Sequence, residues 1–227
     1  MEIASQILKL LSTAFCAAGA VVMTLAIFTP HTLLIKDIQA ETALGWPLAS
    51  VWLGFLSGEL IIQTPLTKPV LEPFQYDNSF LCRDVCYNLR MGGRGAVVGL
   101  TTAAALLVAG ATLSSVSLAP SARAAWPPAG GGAVLPAARM ATAAAAISAA
   151  LGMAFWTAML ERARRDDSGP VTNFPGVSLG EASRYAAGEG VWLILAGTIC
   201  SAASAACLSA TRRLERLHPA GYSPVMV

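Results

Sequence analysis

Four long apolar stretches dominate this chain, and each is long enough to cross a lipid bilayer. They cover about residues 7–28, 95–118, 137–160 and 188–210. In a helix that rises 1.5 Å per residue, roughly 20 apolar residues span the ~30 Å hydrocarbon core of a membrane. Because hydrocarbon offers no partner to backbone polar groups, each stretch must be helical. The sequence therefore predicts an all-α integral membrane protein built on a four-helix transmembrane bundle.

Composition indicates a single membrane domain over residues 1–227. Charged residues make up only 12% of the chain, about half the share typical of soluble domains, and hydrophobic residues make up 55%. The net charge is +2, and no Lys/Arg-rich block with interleaved aromatic residues is present. These features exclude nucleic acid as an expected partner and leave membrane lipids as the surroundings.

The connections between the spans are unequal. A long first loop covers residues 29–94, an intermediate loop covers 161–187, and residues 211–227 form a tail. Alternating spans place these two loops on one side of the membrane and both termini on the other. The short connection 118–136 contains Pro127, Pro128 and three consecutive glycines, which predict an irregular turn.

The first loop contains a further apolar segment, Leu48–Ile62. Its 15 residues are too few to span a bilayer. Its β-branched and aromatic residues favour a strand, so that it is either a buried strand or a segment lying on the membrane surface. The prolines that follow, up to Pro73, predict an extended, irregular path. We expect the first loop to form a small β-containing cap.

Small residues recur at four-residue spacing in the spans and therefore lie on one face of each helix. Such faces allow helix backbones to approach closely, which is how helices associate in lipid. The alternative is that alanine and glycine simply fill apolar positions. The residues predicted to lie in helix–helix contacts are Gly95, Gly99, Ala145, Gly152, Gly197 and Ser201.

Two of the five cysteines, Cys82 and Cys86, lie close together in the first loop. They can form a disulfide if their Cα atoms come within about 7 Å, and free or partner-linked thiols are the alternative. A zinc site is disfavoured, because His31 and His218 lie on opposite sides of the membrane. The other three cysteines lie inside spans, where a thiol behaves as a small apolar group.

Signatures of catalysis are absent from the sequence. It contains no motif of a serine hydrolase, a metalloprotease or a nucleotide-binding enzyme. Glu59, in the apolar part of the first loop, is expected to find a basic partner or water. Glu189 is either an interfacial acid favoured by the start of a helix or an ion site. We predict a non-enzymatic protein with no catalytic residues, no metal and no cofactor.

The orientation of the chain in the membrane stays open. Nine of the fifteen Lys and Arg residues lie on the side of the two larger loops. The positive-inside rule assigns that side to the cytoplasm. A family resemblance, carried by the residues described next, implies the opposite orientation.

Several local stretches, together with the order of spans and loops, resemble a known family. The order is short N-terminus, span, long loop, span, short loop, span, medium loop, span and tail. This plan is that of the claudin-like tetraspan proteins, and the closer resemblance is to amastins, the claudin-related surface proteins of trypanosomatid parasites. The stretches that carry it are Phe28–Pro30, Cys86–Arg90, Arg94–Ala96, Phe155–Met159, Arg164–Gly169 and Arg184–Gly188.

The resemblance implies that Trp46, Trp52 and Arg90 are structural residues of the first loop. Amastins carry two cysteines that flank a Trp-Gly segment, whereas here the corresponding stretch, Ala49–Phe55, contains no cysteine. The family has no established enzymatic activity. The resemblance therefore implies a surface or membrane-organising protein of the plasma membrane that acts through contacts with other membrane proteins or with itself.

Two other functions remain as alternatives. One is an accessory subunit of a larger complex, with an organellar membrane such as the mitochondrial inner membrane as its location. The other is a small transporter or channel, which the lack of acidic pairs, His–acid pairs and basic ladders inside the spans disfavours.

The C-terminus ends in Val225-Met226-Val227. A free carboxylate with apolar residues at the last position and two before it can add as a strand to a PDZ-type groove. Many claudins end in a comparable valine. The alternative is a tail without a partner.

Overall fold

A computed structural model of the chain describes residues 2–39, 48–62, 69–76, 79–118, 128–166 and 184–217. Four helices account for most of these residues. They are α1 (Glu2–Phe28), α2 (Ser79–Leu118), α3 (Pro128–Asp166) and α4 (Glu189–Leu217). Each helix contains a stretch that is long and apolar enough to cross a membrane. By the length and composition of these helices, the chain is a multi-pass membrane protein.

The helices extend beyond the spans predicted from hydropathy. The largest extension is in α2, which begins at Ser79 rather than near residue 95. A helix of 40 residues is roughly 60 Å long, about twice the thickness of the hydrocarbon core. Part of α2 therefore reaches beyond the hydrocarbon. Arg90 and Arg94 lie in this added part, where long basic side chains can reach water or lipid headgroups.

The irregular turn predicted for residues 118–136 is wrong in its second half. Helix α3 begins at Pro128 and continues through Pro136. Proline is well suited to the first helical position, because the N–H it lacks has no partner there. Pro136 removes one backbone hydrogen bond near the start of a long helix, a loss that the packing of the rest of the helix can outweigh.

The two larger loops together form one antiparallel sheet of five strands. The strands are β1 (Leu33–Gln39), β2 (Leu48–Leu53), β3 (Ser57–Ile62), β4 (Val70–Gln75) and β5 (Arg184–Ala187). Their order across the sheet is β4-β3-β2-β1-β5. The apolar segment 48–62 is therefore a hairpin of two strands, not a single strand. Strand β5 of the second loop pairs with β1 of the first, so that the two loops meet.

Pro73 lies inside β4, where we expected an irregular path. It stands opposite Glu59 of β3. Among the described strands, β4 is at the edge of the sheet. An edge strand tolerates proline because no strand on its outer side needs the N–H that proline lacks. The position of the strand in the sheet therefore explains why this proline does not end it.

The turn between β2 and β3 is stabilised by a backbone hydrogen bond and by hydrogen bonds from the Tyr76 hydroxyl. The N–H of Gly54 donates to the carbonyl oxygen of Ser57 at 2.8 Å. The Tyr76 hydroxyl donates to the carbonyl oxygens of Gly54 and Ser57, at 3.0 and 3.2 Å. Burial raises the pKa of Tyr76 above its usual value, so the phenol remains a hydrogen-bond donor.

Contacts divide the chain into two structural units, and every helix contributes to both. Unit 1 contains residues 1–21, 102–147 and 196–227, and unit 2 contains residues 22–101 and 148–195. The five strands all belong to unit 2.

Each unit has its own apolar core. In unit 1, Leu135, Ala138 and Leu208 form a buried cluster. In unit 2, the buried rings of Phe55 and Trp156 meet edge to face, with their centroids 5.3 Å apart. Phe55 follows β2 and Trp156 lies in α3, so this contact joins the sheet region to a helix.

Candidate functional site

The start of β1 is joined to the start of α4 by backbone contacts that require glycine. The N–H of Gly188 donates to the carbonyl oxygen of Thr32 at 2.9 Å, and that of Gly190 donates to the carbonyl oxygen of His31 at 3.1 Å. A Cβ atom on Gly188 would overlap the His31 carbonyl group, and one on Gly190 would press on the Thr32 side chain. These glycines therefore let the loop backbone lie directly against the helix start.

His31 and Glu59 form a half-buried acid–base pair beside this junction. Nε2 of His31 lies 3.0 Å from Oε2 of Glu59. The ring of Trp52 lies next to His31, with the centroids 4.8 Å apart. Trp52 stands directly opposite Glu59 in the pairing of β2 with β3. The ring beside His31 and the carboxylate that pairs with His31 therefore come from neighbouring strands. The basic partner expected for Glu59 is therefore His31, a pairing that sequence spacing does not indicate.

An apolar groove lies between strands β1 and β5 and the last turns of α3. Its volume is ≈230 Å³. The residues that line it are Leu33, Ile35, Thr157, Leu160, Glu161, Arg164 and Tyr185. Most of this lining is apolar, and the two charged residues come from α3.

Arg164 and Tyr185 form the polar part of the groove. The guanidinium carbon of Arg164 lies 5.5 Å from the centroid of the Tyr185 ring, within the range of a cation–π contact. Nη1 of Arg164 lies 3.7 Å from Oε2 of Glu161. Burial raises the pKa of Tyr185, an effect that Arg164 opposes and Glu161 reinforces. The groove thus combines apolar walls with a guanidinium group and a carboxylate.

Four small polar side chains meet inside unit 1. Oγ of Ser12 lies 2.8 Å from Oγ of Ser204 and 3.5 Å from Oγ of Ser114. Sγ of Cys16 lies 3.0 Å from the same Ser204 oxygen. All four residues are buried, and they belong to α1, α2 and α4. The cluster therefore joins three helices through hydrogen bonds, each worth about 0.6 kcal/mol on average in a membrane protein.

A buried lysine also lies in unit 1. Lys9 is 3% exposed, and its Nζ atom lies 2.7 Å from Oε1 of Glu215, whose side chain is 46% exposed. This ion pair joins α1 to α4. Nothing in the sequence indicates it, because the two residues are 206 positions apart.

Three of the predicted packing residues lie between α2 and α3 in unit 2. A Cβ atom on Gly99 would lie 2.7 Å from Cα of Gly152, so the two glycines face each other across the contact. Oγ of Ser148 donates to the carbonyl oxygen of Gly99 at 3.0 Å. Gly95 lies against the ring of Phe155, which occupies the space that a side chain at Gly95 would need.

The other three predicted packing residues lie in unit 1. Ala145 is fully buried. Oγ of Ser201 donates to the carbonyl oxygen of Thr142 at 2.6 Å. The carbonyl oxygen of Gly197 lies 3.5 Å from the place that a Cβ atom on Gly19 would take. The structure thus places three of the six residues in unit 2 and three in unit 1.

The cysteines fall into two groups. Cys86 is buried in α2 and disulfide-bonded. The side chain of Cys82 lies outside the described part of the chain, so the Cys82–Cys86 pairing stays a prediction. Cys16, Cys200 and Cys207, all in helices, carry free thiols.

The residues singled out by the family resemblance are only partly described. Trp52 is half-buried beside His31, and Arg90 is half-buried in α2. Trp46, Val225 and Val227 lie outside the residues that the structure describes. Within the described ranges, no three His, Cys, Asp or Glu side chains lie close enough together to hold a metal ion.

Comparison with known proteins gives no relative: no protein-family model and no curated protein matches the chain. The His31–Glu59 pair connects the sheet to the end of α1, the polar cluster of unit 1 connects helices, and the groove offers a surface for a ligand.

Proposed function

We propose that this chain is a non-enzymatic membrane protein of claudin or amastin type that acts through lateral or surface protein contacts. The observation that carries the proposal is the sheet, which both larger loops build together. The order of helices and loops agrees with the plan on which the family resemblance rests. In this proposal the sheet caps the helices on one side of the plasma membrane.

Strand β4 provides a surface suited to such contacts. Val70 and Leu71 are 46% and 57% exposed. Because successive side chains of a strand point to opposite faces of a sheet, both faces of this edge are uncovered among the described residues. Exposed apolar edge strands favour pairing with another protein. The partner in this proposal is a second copy of the chain or another membrane protein.

Capture of one tagged copy by another tests the proposal. Two differently tagged forms would be expressed together, extracted in mild detergent, and captured through one tag. We expect the second form, or a defined membrane protein, in the captured material. A double variant, Val70→Ser with Leu71→Ser, should lower the captured amount several-fold, whereas Val98→Ser on the exposed face of α2 should not.

The outcomes separate the proposal from its alternative. A particle that contains only one copy and no other protein would contradict a function through contacts. Migration of the chain exclusively with a large set of different subunits would support an accessory subunit of a membrane complex instead.

The C-terminal motif belongs to the same proposal. A PDZ-type partner for Val225 and Val227 requires the tail to lie in the cytoplasm. An antibody against a C-terminal tag should therefore stain cells only after permeabilisation. Staining of intact cells would place the tail outside and end this part of the proposal.

A further inference from the structure

We propose that the groove between β1, β5 and α3 binds an anionic phospholipid of the surrounding membrane. Part of an acyl chain lies between the apolar walls, and the phosphate lies at Arg164. This site is independent of the protein contacts proposed above. It rests on the level of the groove in the membrane, the character of its walls and the charge at its rim.

The groove lies where the apolar run of α3 ends. Charged residues begin at Glu161, directly after Leu160, within the candidate membrane span Ala133–Arg165, and Leu160 and Arg164 both line the groove. On the same side of the chain, the exposed Trp192 lies in the first turn of α4. Exposed tryptophans collect at the level of lipid headgroups. A lipid from the adjoining bilayer can therefore enter the groove without leaving the membrane.

The walls suit part of a long apolar ligand. They are formed mainly by Leu33, Ile35, Leu160 and the ring of Tyr185. A volume of ≈230 Å³ exceeds the ~150 Å³ of a dry apolar cavity that accepts benzene. It is smaller than the roughly 300–1,000 Å³ of pockets that enclose a whole small molecule. An acyl chain that buries one segment and leaves the rest in the bilayer fits these limits.

The charge at the rim selects an anion. Residues 161–166, which end α3, read Glu-Arg-Ala-Arg-Arg-Asp, a net charge of +1. This exceeds the roughly half negative charge that a helix carries at its C-terminus. Glu161 pairs with both Arg164 and Arg165. A guanidinium group can bind phosphate with two parallel hydrogen bonds, and phospholipids supply phosphate at this level.

Native mass spectrometry of the full chain in a neutral detergent tests the site. The probes are phosphatidylglycerol and phosphatidylcholine with identical acyl chains. We expect phosphatidylglycerol to bind about five- to tenfold more tightly, the difference that one interfacial arginine makes. Arg164→Gln should remove this preference. Arg162→Gln makes the same charge change at an exposed position outside the groove and should retain most of it.

A second pair of variants tests the acyl-chain part of the groove. Thr157 lines the groove at an exposed position, so Thr157→Trp should fill the groove without disturbing the core and reduce binding of both lipids. Thr101→Trp, on an exposed face of α2 outside the groove, is the matched control.

Four results would overturn the proposal. They are equal binding of the two lipids, equal losses in Arg164→Gln and Arg162→Gln, unchanged binding in Thr157→Trp, and complete displacement of the lipid by excess inorganic phosphate. The second would indicate diffuse surface charge, and the last would indicate a site for a free anion. The capture experiment on Val70 and Leu71 does not depend on any of these outcomes.

Discussion

Replacing Gly99 with alanine should destabilise the contact between α2 and α3 in unit 2. The new Cβ atom would lie 2.7 Å from Cα of Gly152 and 2.8 Å from the carbonyl oxygen of Ser148. Both are backbone atoms of a helix, so they cannot rotate away as a side chain would. Ordinary van der Waals contact begins at 3.4 Å, and the helices would have to part by about 0.7 Å.

The size of the effect follows from three contributions. Overpacking of a close contact costs about 1–3 kcal/mol. Separation also weakens the hydrogen bond from Ser148 to Gly99, worth about 0.6 kcal/mol. The higher helix propensity of alanine offsets up to about 1 kcal/mol. Gly99→Ala should therefore lower the free energy of unfolding by about 1–3 kcal/mol, and Gly99→Leu should lower it further.

Gly110→Ala is the matched control. A Cβ atom there would lie 3.1 Å from Cγ2 of Thr142 and 3.3 Å from Sγ of Cys16. These are side-chain atoms, which can shift by a few tenths of an ångström, so the change should stay within roughly 1 kcal/mol of zero. Unfolding by increasing SDS in mixed micelles, followed by tryptophan fluorescence, measures both variants. The reasoning is refuted if Gly99→Ala is as stable as the unchanged chain or as Gly110→Ala.

Two further predictions concern unit 1 and use the same unfolding measurement. Ser201→Ala removes the bond to the carbonyl oxygen of Thr142 and should cost about 0.6–1.7 kcal/mol. Ser209→Ala, whose hydroxyl donates within its own helix, should cost less, and equal losses would count against an interhelical role. Glu215→Gln should destabilise more than Lys9→Met, by on the order of 1–3 kcal/mol, because it leaves a buried ammonium group without its counter-charge. The reverse order would show that the partly exposed Glu215 carboxylate, not Lys9, depends on the pair.

The helices could be predicted from the sequence because length and apolar character determine a membrane span. Their ends could not. The first part of α2, from Ser79 to Arg94, contains four charged residues, so the sequence prediction begins the span only at Gly95. Pro128 and the glycines after it favour turns by composition, so the sequence does not indicate that α3 begins there. Continuity with a long packed helix outweighs that local preference.

The sheet was predictable only in part. The β-branched and aromatic residues of segment 48–62 indicate strands, and the structure forms β2 and β3 there. Strand β5 has only four residues, and its pairing with β1 joins segments about 150 positions apart. Neither its length nor its composition distinguishes it from a loop. Non-local pairing of this kind depends on how the helices bring the loops together.

The residues of the candidate sites were likewise predictable only where local spacing places them together. Small residues at four-residue spacing identified the helix face that contains Gly99, since the helical period places them together. The identity of the opposite residue, Gly152, required the structure. The His31–Glu59 pair and the contact of Ser12 with Ser204 join residues far apart in the chain, and no local spacing indicates either.

Photo-crosslinking in native membranes from position 71 tests most directly whether the chain works through protein contacts of its sheet. A benzophenone amino acid would replace Leu71 on the exposed edge strand β4, and in a separate control it would replace the exposed Val108 on α2. We predict light-dependent adducts with a second copy or another membrane protein from position 71, and few protein adducts from position 108. A yield of protein adducts from position 71 no higher than that from position 108 would contradict the proposed function.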